Sequence, residues 1–120
     1  MSLPRNILLI NEFENAMKGL YGEVSFGIIN DDITLTKWNG SIITRRGDIF
    51  EFSFDCDENY PLNPPNIFFK ERDLNNKCLA SICENNGSIK DCFKKTLDWS
   101  KNTSLGEYFI NIKKIIDNKY

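Results

Sequence analysis

The chain has no histidine among its 120 residues. That absence excludes Ser-His-Asp and Cys-His catalysis and most zinc chemistry. Any acid–base work falls to carboxylates, lysine, tyrosine or a thiol. Long apolar runs are missing as well: none approaches the ~20 residues that cross a hydrocarbon core, so no membrane partner is expected. The opening MSLPRNILLI lacks the charged start and small-residue cleavage site of a signal peptide, which points to a cytoplasmic and/or nuclear setting with reduced thiols. Basic residues are not concentrated. Fifteen Lys and Arg stand against seventeen Asp and Glu, for a net charge of −2 and a pI near 5.2. Only the pairs Lys94-Lys95 and Lys113-Lys114 break the mixing, and a phosphate-tracking surface needs a basic stripe; nucleic acid is not an expected partner. With no repeat, low-complexity tract or linker, residues 1–120 read as one domain.

What is present is a compact set of elements. Apolar residues make up 41% of the chain, enough for a modest core. A helix is expected over about residues 4–18, with Pro4 in its first turn and Gly19 at its stop. Helical periodicity puts Leu9, Ile10, Phe13, Ala16, Met17 and Leu20 on one face and leaves Ile7 and Leu8 off it, on opposite sides. Strands are expected at GEVSFGIIN, DITLTKWNGSIIT, DIFEFSFDC and NIFFKE. In the third, Phe50, Phe52, Phe54 and Cys56 point one way and Ile49, Glu51, Ser53 and Asp55 the other. Short links such as NDD and TRRG imply an antiparallel meander. YPLNPP, residues 60–65, is a stiff corner because its prolines fix their own φ and keep their predecessors extended. An irregular stretch of about residues 72–102 follows. A closing helix then begins at the capping box Ser104 to Glu107, with Leu105, Tyr108, Phe109, Ile112, Ile115 and Ile116 as its stripe. The order argues for an α+β domain with helices on one sheet face.

The chemistry-bearing residues divide as follows. Cys56 belongs to the phenylalanine face and is expected to be buried. Cys78, Cys83 and Cys92, separated by four and eight residues, match no usual zinc spacing, so no metal is expected. Lys90 and Lys94 near Cys92 would favour its thiolate, which leaves a reactive thiol open. Asp31-Asp32 and the trio Asp55, Asp57 and Glu58 read as turn formers rather than an acid–base pair. Trp38 reads as core. Ile7 is either a staple of the first helical turn or an apolar handle for a partner. Ile49 is either an edge residue covered by the following loop or a recognition spot framed by polar neighbours.

PRNILLINEF, DDITLTKWNGSII and FEFSFDCDENYPLNPPNIFF together resemble the ubiquitin-conjugating-enzyme fold, and most of all its variants that promote lysine-63-linked ubiquitin chains. The likeness covers about residues 4–70 and the final helix. It implies an N-terminal helix, a four-stranded antiparallel meander, a long loop and a closing helix, without the extra C-terminal helices of active enzymes. Active members carry a His-Pro-Asn triplet where this chain has Asn75, Asn76 and Lys77. They place the nucleophilic cysteine after a frame like Asn86-Gly87-Ser88-Ile89, where this chain has Lys90, or Asp91 when the count runs back from Trp99.

The resemblance therefore implies a non-catalytic subunit without a cofactor. Such a subunit forms a heterodimer with an active conjugating enzyme and orients a non-covalently held acceptor ubiquitin. The partner-enzyme contact maps to Pro4, Arg5, Asn6, Ile7 and Leu8, with Ile7 in place of the usual phenylalanine. The acceptor-ubiquitin contact maps to Ser25, Ser41 and Ile49, beside a TRRGD link shorter than in those variants. Two other readings are an active enzyme using a displaced Cys92 and a peptide-binding variant domain.

Overall fold

The computed structural model describes residues 4–30, 33–100 and 103–119; Asp31 and Asp32, read above as turn formers, lie outside the described residues. Helix α1 spans Arg5–Met17, and strands β1 (Val24–Ile28), β2 (Lys37–Ile43), β3 (Ile49–Asp55) and β4 (Asn66–Phe69) follow. They form one antiparallel sheet in the order β1-β2-β3-β4, each strand paired with its neighbour in sequence. A 3₁₀ turn (Glu71–Asn75) and helices α2 (Lys77–Ala80), α3 (Asp91–Leu97) and α4 (Leu105–Asp117) complete the chain.

Strand alternation places Val24 and Phe26, Trp38 and Ile42, Phe50, Phe52 and Phe54, and Ile67 and Phe69 on one buried face. Phe109 of α4 sits at the centre of that face, with ring centroids 5.3, 4.9 and 4.8 Å from those of Phe26, Phe52 and Phe54. Phe13 of α1 meets Trp38 edge-on at 6.1 Å. Both long helices thus cover the same face, as expected. Trp38 and Cys56 are fully buried, and the indole N–H of Trp38 donates to the Leu35 carbonyl at 2.8 Å. Helix α4 starts as its sequence implies: the Ser104 hydroxyl accepts from the Glu107 N–H at 3.1 Å. The Tyr60–Pro61 bond in the proline corner is cis.

Three expectations are corrected. First, α1 is rotated relative to its apolar stripe. Ile10, Met17 and Leu20 are exposed, Leu8 is half-buried against the core, and Glu12 is buried. The cause is polar: the Glu12 carboxylate accepts from the Tyr21 hydroxyl at 2.8 Å and from the Leu105 N–H at the start of α4. A helix N-terminus offers unpaired N–H groups, and burying a carboxylate there satisfies both partners. Second, residues 33–36 are not strand; β2 begins only at Lys37, after a turn with Leu35 at a φ of 56°. Third, the stretch from 72 to 102 is not simply irregular, since the 3₁₀ turn, α2 and α3 occupy much of it.

Candidate functional site

The segment that would carry a nucleophile keeps a defined geometry. Gly87 has a φ of 92°, and a Cβ there would collide with the Phe69 carbonyl oxygen, so only glycine fits. The Phe69 N–H donates to the Gly87 carbonyl at 2.9 Å, and Phe68 bridges to Ser88. The Asn86 side-chain oxygen accepts from the Ser88 N–H at 3.0 Å and from its hydroxyl at 2.7 Å. Lys90 then donates its N–H to Ile82 at 2.9 Å and stands just before α3. Asp91 and Cys92 are exposed on the first turn of that helix.

The neighbouring thiols and amides have defined environments. Cys83, which bridges to Ile89, is buried, and burial pushes its thiol up to about 12 against the opposing charge of Lys90. Burial likewise raises Cys56 to about 12, with Arg5 opposing. Asn76 caps α2: its side-chain oxygen accepts from Cys78 at 2.9 Å and Leu79 at 3.2 Å, while its amide nitrogen reaches Asp48 at 3.4 Å. The amide oxygen thus braces backbone, and the amide nitrogen points to the Asp48 carboxylate. Asn75 and Lys77 are exposed. No cluster of three metal-ligating side chains occurs among the described residues.

The second group lies on the opposite, solvent-facing side of the sheet. Ser25 and Ser41 are register partners on β1 and β2, their hydroxyl oxygens 2.9 Å apart. Ile49 opens β3 and is 59% exposed. The three residues line one shallow depression of about 410 Å³, shared with Asn39, Glu51 and Lys70. Sequence reasoning missed Ile43, which pairs across the strands with Ile49 and is 39% exposed, and Phe68, equally exposed, opposite Ser53. Period-2 alternation could have flagged Phe68; Ile43 becomes visible only once the register is known. The adjacent turn is tightly held. Thr44 and Asp48 exchange backbone and hydroxyl hydrogen bonds at 2.8 and 3.1 Å, and the Arg45 N–H donates to Asp117 of α4 at 3.0 Å.

The third group is the start of α1. Ile7 is 46% exposed. Pro4 and Asn6 are exposed as well. Arg5 differs from its neighbours because its guanidinium is hydrogen-bonded inside the chain, to the carbonyls of Asp57 and Cys56 at 2.8 Å and of Thr34 at 2.9 Å. Ile33, in the turn before β2, is 91% exposed.

No protein-family model matches the chain. Among solved structures it superposes on human ubiquitin-conjugating enzyme E2 G1 with a TM-score of 0.70 at 19% identity, covering 97% of this chain and 98% of that one. A ubiquitin-conjugating enzyme E2 from Plasmodium falciparum gives a TM-score of 0.72 at 15% identity, over 91% and 95%. These likenesses show the ubiquitin-conjugating-enzyme fold. The sequence is 32% identical to the ubiquitin-conjugating enzyme variant MMS2 of Saccharomyces cerevisiae, over 93% of this chain and 84% of the relative. It is 33% identical to ubiquitin-conjugating enzyme spm2 of Schizosaccharomyces pombe and 31% identical to ubiquitin-conjugating enzyme E2 variant 1D of Arabidopsis thaliana, over 93% of this chain and 84% and 80% of those relatives. With this fold, and with that identity over nearly its whole length, the chain belongs to the ubiquitin-conjugating enzyme variant family.

Proposed function

We propose that this protein is a non-catalytic subunit of a ubiquitin-conjugating complex. It pairs with an active conjugating enzyme as a heterodimer and holds acceptor ubiquitin so that lysine 63 faces the partner's thioester. The observation that carries the reading is the meeting of Ser25, Ser41 and Ile49 in one open depression. Family membership supports it. Ile7 and its neighbours at the start of α1 are assigned to the partner enzyme, and a cytoplasmic and/or nuclear location suits both partners.

The physical gain is orientation. Fixing two reactants in an ideal geometry lowers a barrier by up to ~7–11 kcal/mol, and a weakly held acceptor realises part of that. Chain type follows from which lysine reaches the thioester, not from groups that touch the reacting atoms. Reconstitution with activating enzyme, ubiquitin and candidate conjugating enzymes tests the proposal. Addition of the protein is expected to promote lysine-63-linked chains with one of them; unchanged chain formation with every candidate defeats it. Cys92 is exposed on α3 and is the thiol to check for direct charging. A reducible ubiquitin adduct that disappears in Cys92→Ser would show an active enzyme instead.

A further inference from the structure

The first turn of α1 has little of its own to hold it. Pro4 provides no side-chain cap, and the turn carries no acidic residue. The N–H groups of Ile7 and Leu8 both rely on the Pro4 carbonyl, at 3.1 Å. A helix start of this kind frays unless something outside the helix fixes it.

Arg5 does so from within that turn. Its Nε donates to the Asp57 carbonyl at 2.8 Å. Nη1 donates to the Thr34 carbonyl and the Asn6 side-chain oxygen, both at 2.9 Å. Nη2 donates to the Cys56 carbonyl at 2.8 Å, with longer bonds to the Leu35 carbonyl at 3.3 Å and the Thr36 hydroxyl at 3.4 Å. Apart from Asn6, the acceptors come from two separate segments, residues 34–36 before β2 and residues 56–57 after β3. The first segment includes the left-handed Leu35, whose carbonyl also accepts from Trp38 in the core. One planar fork therefore joins three pieces of chain. A lysine, with a single compact head, cannot span them.

The consequence reaches Ile7, two residues further along the same turn and exposed. Beside the clamp lies a polar recess of about 430 Å³ lined by Arg5, Asn6, Thr34, Thr36 and Glu58. We infer that Arg5 is a positioning residue for the partner-enzyme surface: it fixes the turn that presents Ile7 instead of contacting the partner with its charge. This rests on the reading of Ile7 as a partner contact.

The test uses the full chain, Arg5→Lys and Arg5→Ala, with the conjugating enzyme selected by the reconstitution above. Arg5→Lys is expected to weaken partner binding about tenfold, because several charge-assisted hydrogen bonds disappear while the charge stays. Affinity for free ubiquitin is expected to hold, which also reports that the variant is folded. Amide exchange is expected to quicken about tenfold at residues 6–10 and 34–36 and to stay unchanged in α4. A double-mutant cycle separates positioning from general destabilisation. Once Ile7→Ala has removed the presented side chain, Arg5→Lys should cost little further partner affinity.

Additive losses in that cycle, or wild-type affinity in Arg5→Lys, overturn the inference. Unchanged exchange at residues 6–10 does so as well, and needs no partner. Failure of the wild-type chain to bind any conjugating enzyme sinks the functional reading itself, and the exchange arm then decides separately whether Arg5 holds the turn. If Arg5→Ala does not fold, Arg5→Lys carries every arm.

Discussion

Ile7 and Ile49 are exposed apolar side chains, each assigned to one of the two proposed interfaces. Each is about half exposed, at 46% and 59%, so truncation removes little buried surface. Ile7→Ala is expected to leave the melting temperature within a degree or two and to weaken partner binding by about 1–2 kcal/mol, as an interface anchor would. Ile49→Ala is expected to weaken ubiquitin binding and to leave partner binding intact. Calorimetry on both variants with both ligands checks the pair, and crossed effects would contradict the assignment of one residue to each surface.

The charge state of the buried Glu12 is coupled to stability. Burial raises its pKa from the ordinary 4.5, against hydrogen bonds from Tyr21 and from the Leu105 and Gly106 backbone that favour the anion. A raised carboxyl binds its proton more tightly in the folded state than in the unfolded one. Its contribution is therefore fully present below the unfolded pKa and is lost as pH rises through the folded value. Glu12→Gln keeps a neutral acceptor for Tyr21 and Leu105. Thermal melts of wild type and Glu12→Gln are expected to converge near pH 4 and to favour the variant increasingly toward pH 7. Asp117 runs the other way. Burial opposes its ionisation, but Lys113, the Arg45 N–H and both cations outweigh that and lower its pKa from 3.8. Its contribution is present above that value and fades as pH falls through the folded one. Melts of Asp117→Asn are expected to fall below wild type at neutral pH and to approach it toward pH 2.

Among the elements, the link from β4 through Gly87 to α3 leaves no room for a side chain at its glycine. The backbone at Gly87 is left-handed, and the space a side chain would need is filled by the β4 main chain. Gly87→Ala combines backbone strain with a collision and is expected to cost about 2–3 kcal/mol, measured by urea denaturation. A loss under 1 kcal/mol would mean that the loop moves freely away from β4. Element positions were largely legible in the sequence. The β3 alternation of Phe50, Phe52 and Phe54 and the Ser104 capping box are local signals, carried by residues two or three apart. Residues 33–36 do not form the strand expected of them: their β-branched side chains suit one, but the left-handed Leu35 delays pairing until Lys37. Helices α2 and α3 were not foreseen because four and seven residues make too short a pattern for periodicity to register.

At the scale of the whole molecule, stability centres on Phe109, which touches aromatic rings from β1 and β3 and has no exposed surface. Phe109→Ala is expected to cost about 3–5 kcal/mol and to weaken both proposed interfaces only through unfolding, visible as a shared fall in melting temperature. The fold class, the buried phenylalanine face and the lack of histidine chemistry follow from the sequence alone, because period and residue type are local properties. Tertiary structure alone decided which side of α1 is buried, since Glu12 finds its N–H partner 93 residues away in Leu105. It alone brought Ser25, Ser41 and Ile49 into one depression, because strand register is set by pairing across the sheet. It also gave Arg5 its carbonyl acceptors, 29 to 52 residues distant. Hydrogen bonds between groups so far apart in sequence leave no periodic trace, and they exist only once the chain has closed around them.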